Sequence, residues 1–257
     1  MGKTVVVMSC AHTQPGVSNE RFTWLGKMLY DLRPDEFINL GDFSEMESLS
    51  SFDTRYPSSV VRRSYEADVN VTNDAHERMW YEFRKNKRGL PYRIFLEGNH
   101  ERRIGTAISK DPGLEGSNYG ISMSHLSIDS HYNEFHPYEH SAPAIVYRDG
   151  VLYSHFLSSG AYGRSIDGVN HGLKMVEKTG SSVTVGHSHK FNYFIKAETY
   201  PKPAHGLSVG CFLGSPQAWA GQANDEWSRG VVIKRNLEDG NYDLQWVSLN
   251  SLEREYS

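Results

Sequence analysis

The stretch Leu96-Glu97-Gly98-Asn99-His100-Glu101-Arg102-Arg103 decides the reading of this chain. The residues before it, 92–96, form a short apolar run containing Ile94 and Phe95, which predicts a strand rather than a helix. Gly98 has no Cβ, so the backbone can turn sharply there or approach a ligand closely. Asn99 offers a neutral carbonyl oxygen to a cation, and His100 an imidazole that ligates or transfers a proton. Taken alone, a Gly-Asn-His is equally well read as a strand-end turn with a surface histidine. Its company changes that, because other polar clusters also follow apolar runs.

Outward from this stretch the pattern repeats. Residues 4–8 are a β-branched run suited to a central strand, ending in Ser9-Cys10-Ala11-His12. Ser18 is a candidate N-cap for a helix carrying Phe22, Leu25, Met28, Leu29 and Leu32 on one side and stopping before Pro34. Residues 36–40 form a second strand that delivers Gly41-Asp42-Phe43-Ser44-Glu45. A polar stretch, 46–59, then leads to a long helical segment over about 60–87, with Val61, Tyr65, Val69, Met79, Trp80 and Phe83 as its apolar positions. Strands alternating with helices, with polar residues at each strand end, predict an α/β fold with a mainly parallel sheet. Ligands of such sheets sit beyond the carboxyl ends of the strands.

Later in the chain, residues 105–140 are irregular and read as an insertion or a substrate-facing region. Asp149-Gly150 between two apolar runs is a two-residue hairpin signal, and His155 follows the second run. A helix over 168–178 and a strand over 182–185 lead to Gly186-His187-Ser188-His189. Four further strands are expected over 193–198, 207–212, 230–235 and 242–249, the last two joined through Asp239-Gly240. No linker divides the chain, so residues 1–257 read as a single domain.

Composition bounds the function. The 257 residues are 38 % apolar and 23 % charged with a net charge of −4, an ordinary globular balance that argues against a generally basic nucleic-acid coat. Only two cysteines, Cys10 and Cys211, are present, which is no disulfide framework and points to a reducing, cytoplasmic setting. The N-terminal apolar run is too short for a signal peptide, and no run approaches the roughly 18 apolar residues of a membrane helix.

Five strand ends therefore carry Cys10/His12, Asp42, Asn99/His100, His155 and His187/His189. Two divalent ions about 3.5–4 Å apart, sharing a carboxylate and a water, need such a mixed nitrogen and oxygen set, and they turn the water into a nucleophile against phosphorus. Each residue also has a bland reading. His155 alone would more often be a hydrogen-bonded or surface histidine, and Asp42 a turn or cap residue. His187 and His189 are stronger together, because alternate residues of an extended segment face one way.

In order and spacing, Cys10-Ala11-His12, Gly41-Asp42, Gly98-Asn99-His100-Glu101, His155 and Gly186-His187-Ser188-His189 resemble the calcineurin-like metallophosphoesterases. The form Gly-Asn-His-Glu-Arg-Arg and the long helix before it look most like bacterial and phage-encoded members. The resemblance implies a four-layered αββα sandwich of two mixed sheets flanked by helices, with the final strands in the second sheet. It implies His12, Asp42 and His189 on one metal and Asp42, Asn99, His155 and His187 on the other. His100 would be the proton donor to the leaving oxygen, with Glu101 orienting it. The implied cofactors are two divalent ions, with manganese expected and zinc, iron(II) or nickel as alternatives.

One residue departs from the pattern: the family has Asp where Cys10 stands. Cys10 could ligate as thiolate and favour zinc or iron over manganese or magnesium, or be a poor ligand that weakens the first site, or belong to a chain that has given up hydrolysis. A small buried residue at a strand end is an equal reading. The phosphoprotein-phosphatase hallmark Gly-Asp-x-x-Asp-Arg-Gly is absent, which counts against a phosphoprotein substrate; a phosphodiester, either a nucleotide or a nucleic-acid strand, is the favoured one. Arg62/Arg63, Arg84/Lys85/Lys87/Arg88 and Arg102/Arg103 are basic clusters that read as solvated helix faces, except that Arg102 and Arg103 follow His100 at once and one of them is expected to reach the site. The alternative from another class is a catalytically weakened or silent metal-binding interaction module. No membrane partner is expected, and the oligomeric state stays open.

Overall fold

The structure, a computed structural model, describes residues 2–50, 64–139, 142–160, 163–197 and 203–257. Elements follow in chain order as β1 (Lys3–Met8), α1 (Glu20–Leu32), β2 (Glu36–Asn39), α2 (Tyr65–Lys85), β3 (Tyr92–Leu96), α3 (Arg102–Lys110), α4 (Ile128–His131), β4 (Glu134–His136), β5 (Val146–Arg148) and β6 (Val151–Ser154). The two-residue strands β7 (Ser158–Ser159) and β8 (Arg164–Ser165) come next, then α5 (His171–Thr179), β9 (Ser182–Val185), β10 (Phe191–Lys196), β11 (Ala204–Val209), β12 (Gly230–Glu238), β13 (Asn241–Ser248) and α6 (Leu249–Tyr256).

Two mixed sheets are built from these strands. The first runs β13-β12-β1-β2-β3-β4 and the second β10-β11-β9-β6-β5. Alternation along β1 shows how they stack. Val5 and Val7 pack between the sheets with Ile38, Leu40, Ile94, Leu96, Tyr153, Leu207 and Val232. Val6 and Met8 face the other way, into a helix-side core with Phe22, Leu25, Leu29, Met79, Trp80 and Leu252. Strand side chains alternate between faces, so one β-branched run serves two cores. Beyond the second sheet, Met175 of α5 packs on Val183 and Val185 of β9. The result is the expected helix–sheet–sheet–helix stack.

Several sequence expectations need correction. The last two strands do not lie in the second sheet: β12 pairs antiparallel with β1, Val6 opposite Ile233, and β13 pairs with β12. Within residues 105–139 the chain returns to add β4 parallel to β3 at the edge of the first sheet. The long helix begins at Tyr65, with Ser64 accepting the Ala67 amide at 3.3 Å; Val61, Arg62 and Arg63 fall outside the described residues. α1 begins at Glu20, and Ser18 Oγ accepts that residue's amide at 3.2 Å. The Asp149-Gly150 turn is as expected, with both φ values positive (49° and 81°), and joins β5 to β6.

One face of α2 positions the site. Asp68, Thr72 and His76 recur every four residues and are all buried. Asp68 Oδ2 accepts the Ser48 amide at 2.9 Å, and Thr72 Oγ1 lies 2.9 Å from both Ser44 Oγ and Thr13 Oγ1. His76 stacks on Phe43 with centroids 4.1 Å apart and planes 9° from parallel. This polar stripe clamps the loops after β1 and β2 from below.

Candidate metal centre

The loops after β1, β2, β3, β6 and β9 converge at one edge of the two sheets. Cys10, His12, Asp42, His187 and His189 all have φ between 45° and 64°, a region that side chains other than glycine rarely adopt. Such conformations cost of order 1–3 kcal/mol each and persist where the surroundings fix them. The surroundings here are specific. Cys10, His12 and Thr13 amides donate to the carbonyls of Gly41, Asp42 and Phe43 at 2.8–3.0 Å, zipping the two loops together. At Gly98 a Cβ would come within 2.2 Å of Asp42 N and Oδ1, so only glycine lets the β3 loop close on the β2 loop.

Asp42 is the hub. Its Oδ2 lies 3.1 Å from His155 Nε2 and 3.9 Å from His12 Nε2, and its Oδ1 accepts the His100 amide at 2.9 Å. On one side, His12 Nε2 and His189 Nε2 are 3.0 Å apart. On the other, His155 Nε2 meets Asn99 Oδ1 at 3.0 Å and His187 Nδ1 at 3.2 Å. Cys10 Sγ accepts the His187 amide at 3.1 Å. Three groups of donor atoms, each mutually within 4.8 Å, result: Cys10/His12/His189, Cys10/Asp42/His155 and His12/Asp42/His100.

The hydrogen-bond pattern of this cluster suits a cation. His155 Nδ1 donates to the Leu40 carbonyl at 2.7 Å and His12 Nδ1 to Glu45 Oε2 at 2.6 Å. Each neutral ring therefore turns an Nε2 lone pair inward, toward oxygens that are acceptors themselves. Acceptors facing acceptors at 3.0–3.1 Å repel unless positive charge stands among them. Burial alone would push His155 down, but Asp42 outweighs it and raises the ring. Burial would likewise raise Asp42, yet the His155 and His100 rings hold it well below the usual carboxylate range. Burial, and then neighbouring rings, push His12 and His189 down, and His187 to about 4, so these three offer unprotonated nitrogens. Desolvation pushes the Cys10 thiol well up.

His100 and Glu101 take different parts from those expected together. The His100 ring is held by Glu45, whose carbonyl accepts from Nδ1 at 2.9 Å and whose Oε2 lies 3.3 Å away. Burial lowers this ring, but Asp42 and Glu45 outweigh it and hold it at about 9. Glu101, fully buried, instead accepts the amides of Asp42, Ser44 and Gly98 at 2.7–3.0 Å. A carboxylate has four lone-pair sites, which suits one residue tying two loops together. Orientation of His100 thus passes from Glu101 to Glu45. Sequence reasoning missed Glu45 as a site residue, although it stands three residues past Asp42.

A cleft of about 240 Å³ opens over the cluster, lined by Asp42, Asn99, His100, His187 and His189 and walled by Ser165, Asp167, Ser188 and Trp227. Trp227 packs edge-on to His189, centroids 4.4 Å apart. Of the paired arginines, Arg103 reaches the rim: its Nη1 donates to the Glu45 carbonyl at 2.7 Å and its Nη2 lies 3.4 Å from His100 Nε2. With the ring protonated, that second contact is two cations side by side rather than a hydrogen bond. Arg88 is engaged elsewhere, stacked 4.0 Å over Tyr30, and Arg84 pairs with Glu77. Among the described residues, no helix is long and apolar enough to cross a membrane.

No protein-family model matches the chain, and no curated protein matches it. Solved structures do. A dimetal phosphatase from Danio rerio is 9 % identical, with 96 % of each chain covered and a TM-score of 0.47. A nuclease from Pseudomonas putida is 12 % identical over 94 % of this chain and 87 % of its own, with a TM-score of 0.38. A phosphoesterase from E. coli is 14 % identical over 96 % and 100 %, with a TM-score of 0.34. A likeness this distant does not speak to chemistry. The chemistry of this chain rests on its own cluster of buried donors, a candidate metal centre.

Proposed function

We propose that the chain is a metal-dependent phosphoric ester hydrolase of the calcineurin-like kind, acting on a phosphodiester or phosphomonoester, with nucleotides or nucleic acid favoured. The observation that carries this reading is the ring of inward lone pairs around Asp42, from His12, Asn99 and His155, which invites positive charge. His12, Asp42 and His189, with Cys10 beside them, would hold one divalent ion; Asp42, Asn99, His155 and His187 would hold the second. Such a pair supplies a low-pKa water and neutralises phosphate oxygens.

The protein's own groups do the rest. Leu40 and Glu45 fix the tautomers of His155 and His12, so each presents Nε2 to the site. Glu101 holds the Asp42 and Gly98 loops in register. His100, whose ring Asp42 and Glu45 hold up at about 9 against burial, lines the cleft and would give a leaving oxygen its proton. The test is turnover of bis(p-nitrophenyl) phosphate by the metal-free chain after manganese or zinc is added, with His100→Ala alongside. Metal-dependent turnover that falls in the variant supports the hydrolase. Metal binding without turnover would leave the silent binding module in its place.

A further inference from the structure

Cys10 sits where both halves of the cluster meet. It is fully buried, and its Sγ lies within 4.8 Å of the ligating atoms of His12 and His189 and likewise of Asp42 and His155. The sulfur is not simply packed against apolar groups. The His187 amide donates to it at 3.1 Å, and Ser9 Oγ lies 3.1 Å away. Cys211 and Leu213 pack with it in a small buried cluster.

The donors around the first site are therefore one sulfur, two imidazoles and one carboxylate. Sulfur and imidazole suit zinc and iron(II), whereas manganese and magnesium seek oxygen. We propose that Cys10 ligates as a thiolate and makes the first site a sulfur-containing one that takes zinc or iron(II) in preference to manganese or magnesium. This rests on the metal-dependent reading above. As the metal–sulfur bond forms, the S–H bond breaks and its proton leaves to solvent; nothing is oxidised or reduced.

Cobalt(II) is a direct probe, because a thiolate ligand gives it an intense near-ultraviolet charge-transfer band. Metal-free full-length chain titrated with cobalt(II) is expected to develop that band together with visible d–d bands. Cys10→Ser and Cys10→Asp keep the visible bands and lose the charge-transfer band, while Cys211→Ser keeps both. Where the Cys10 variants do not fold, zinc X-ray absorption of the wild-type chain answers alone, with a sulfur scatterer expected at about 2.3 Å. Cobalt bound without the charge-transfer band, zinc bound without the sulfur scatterer, or a band that depends on Cys211 instead, overturns the proposal and leaves the hydrolase reading intact. A folded chain that binds no cobalt overturns both.

Discussion

His12 and His189, 177 positions apart in sequence, bring their Nε2 atoms to 3.0 Å. Asp42 faces that pair through the oxygen that also meets His155, so one carboxylate stands between the two halves of the cluster.

Asp42→Asn removes the one charge common to both positions. Metal content after dialysis is expected to fall to near zero, and turnover to background. Asn99→Ala touches only the His155 side and is expected to retain one ion per chain. Equal losses in the two variants would contradict a shared carboxylate.

His100→Ala is expected to lower kcat by about 10²–10⁴-fold, the usual contribution of general acid–base catalysis. His100 is not among the residues assigned to either metal, so the metal-to-chain ratio is expected to stay that of wild type. Parallel loss of metal and rate would move His100 among the ligands.

Glu101→Ala orphans three buried amides, those of Asp42, Ser44 and Gly98. At about 1–3 kcal/mol for each unsatisfied group, the urea midpoint should drop by the equivalent of about 3 kcal/mol or more. Glu101→Gln keeps one accepting oxygen and is expected to lose less.

Cys10→Asp restores a hard oxygen donor beside His12 and His189. Turnover supported by manganese is expected to rise above wild type. An unchanged or lower rate would mean that Cys10 already serves manganese or stands outside the site.

Lys234 lies buried between the sheets, its Nζ 2.6 Å from Thr184 Oγ1 and 4.4 and 4.5 Å from the rings of Tyr153 and Tyr242. Burial pushes its ammonium well below the ordinary lysine value. The unfolded chain therefore binds the proton at pH values where the folded chain has released it, and stability rises with pH across that window, up to the unfolded value of about 10.4. The melting temperature of wild type is expected to climb relative to Lys234→Met as pH rises toward that value. Parallel curves for the two proteins would contradict it.

The loops of the buried donor cluster are legible because parallel strands end where apolar runs end, and each such end carries polar residues. Glu45 is not, since its part depends on His12, 33 residues away, and on a bend that no local pattern encodes. The same limit applies to β12 and β13: alternation marks a strand but not its partner, and pairing with β1 at the far end of the chain is a tertiary choice. The expected last strand ends at 249 and nothing is read beyond it, although Ser248 accepts the Ser251 amide at 3.2 Å as the N-cap of α6. The Asp68/Thr72/His76 stripe was passed over because the apolar positions of α2 dominated its reading, and its meaning appears only against Ser44, Phe43 and Ser48.

The most direct measurement is anomalous X-ray scattering from crystals of the metal-loaded chain, recorded at the absorption edge of the bound metal. Two peaks are expected about 3.5–4 Å apart, with a carboxylate oxygen of Asp42 between them. A well-ordered cluster with no peak beside Asp42, in crystals grown with excess metal, would contradict the account.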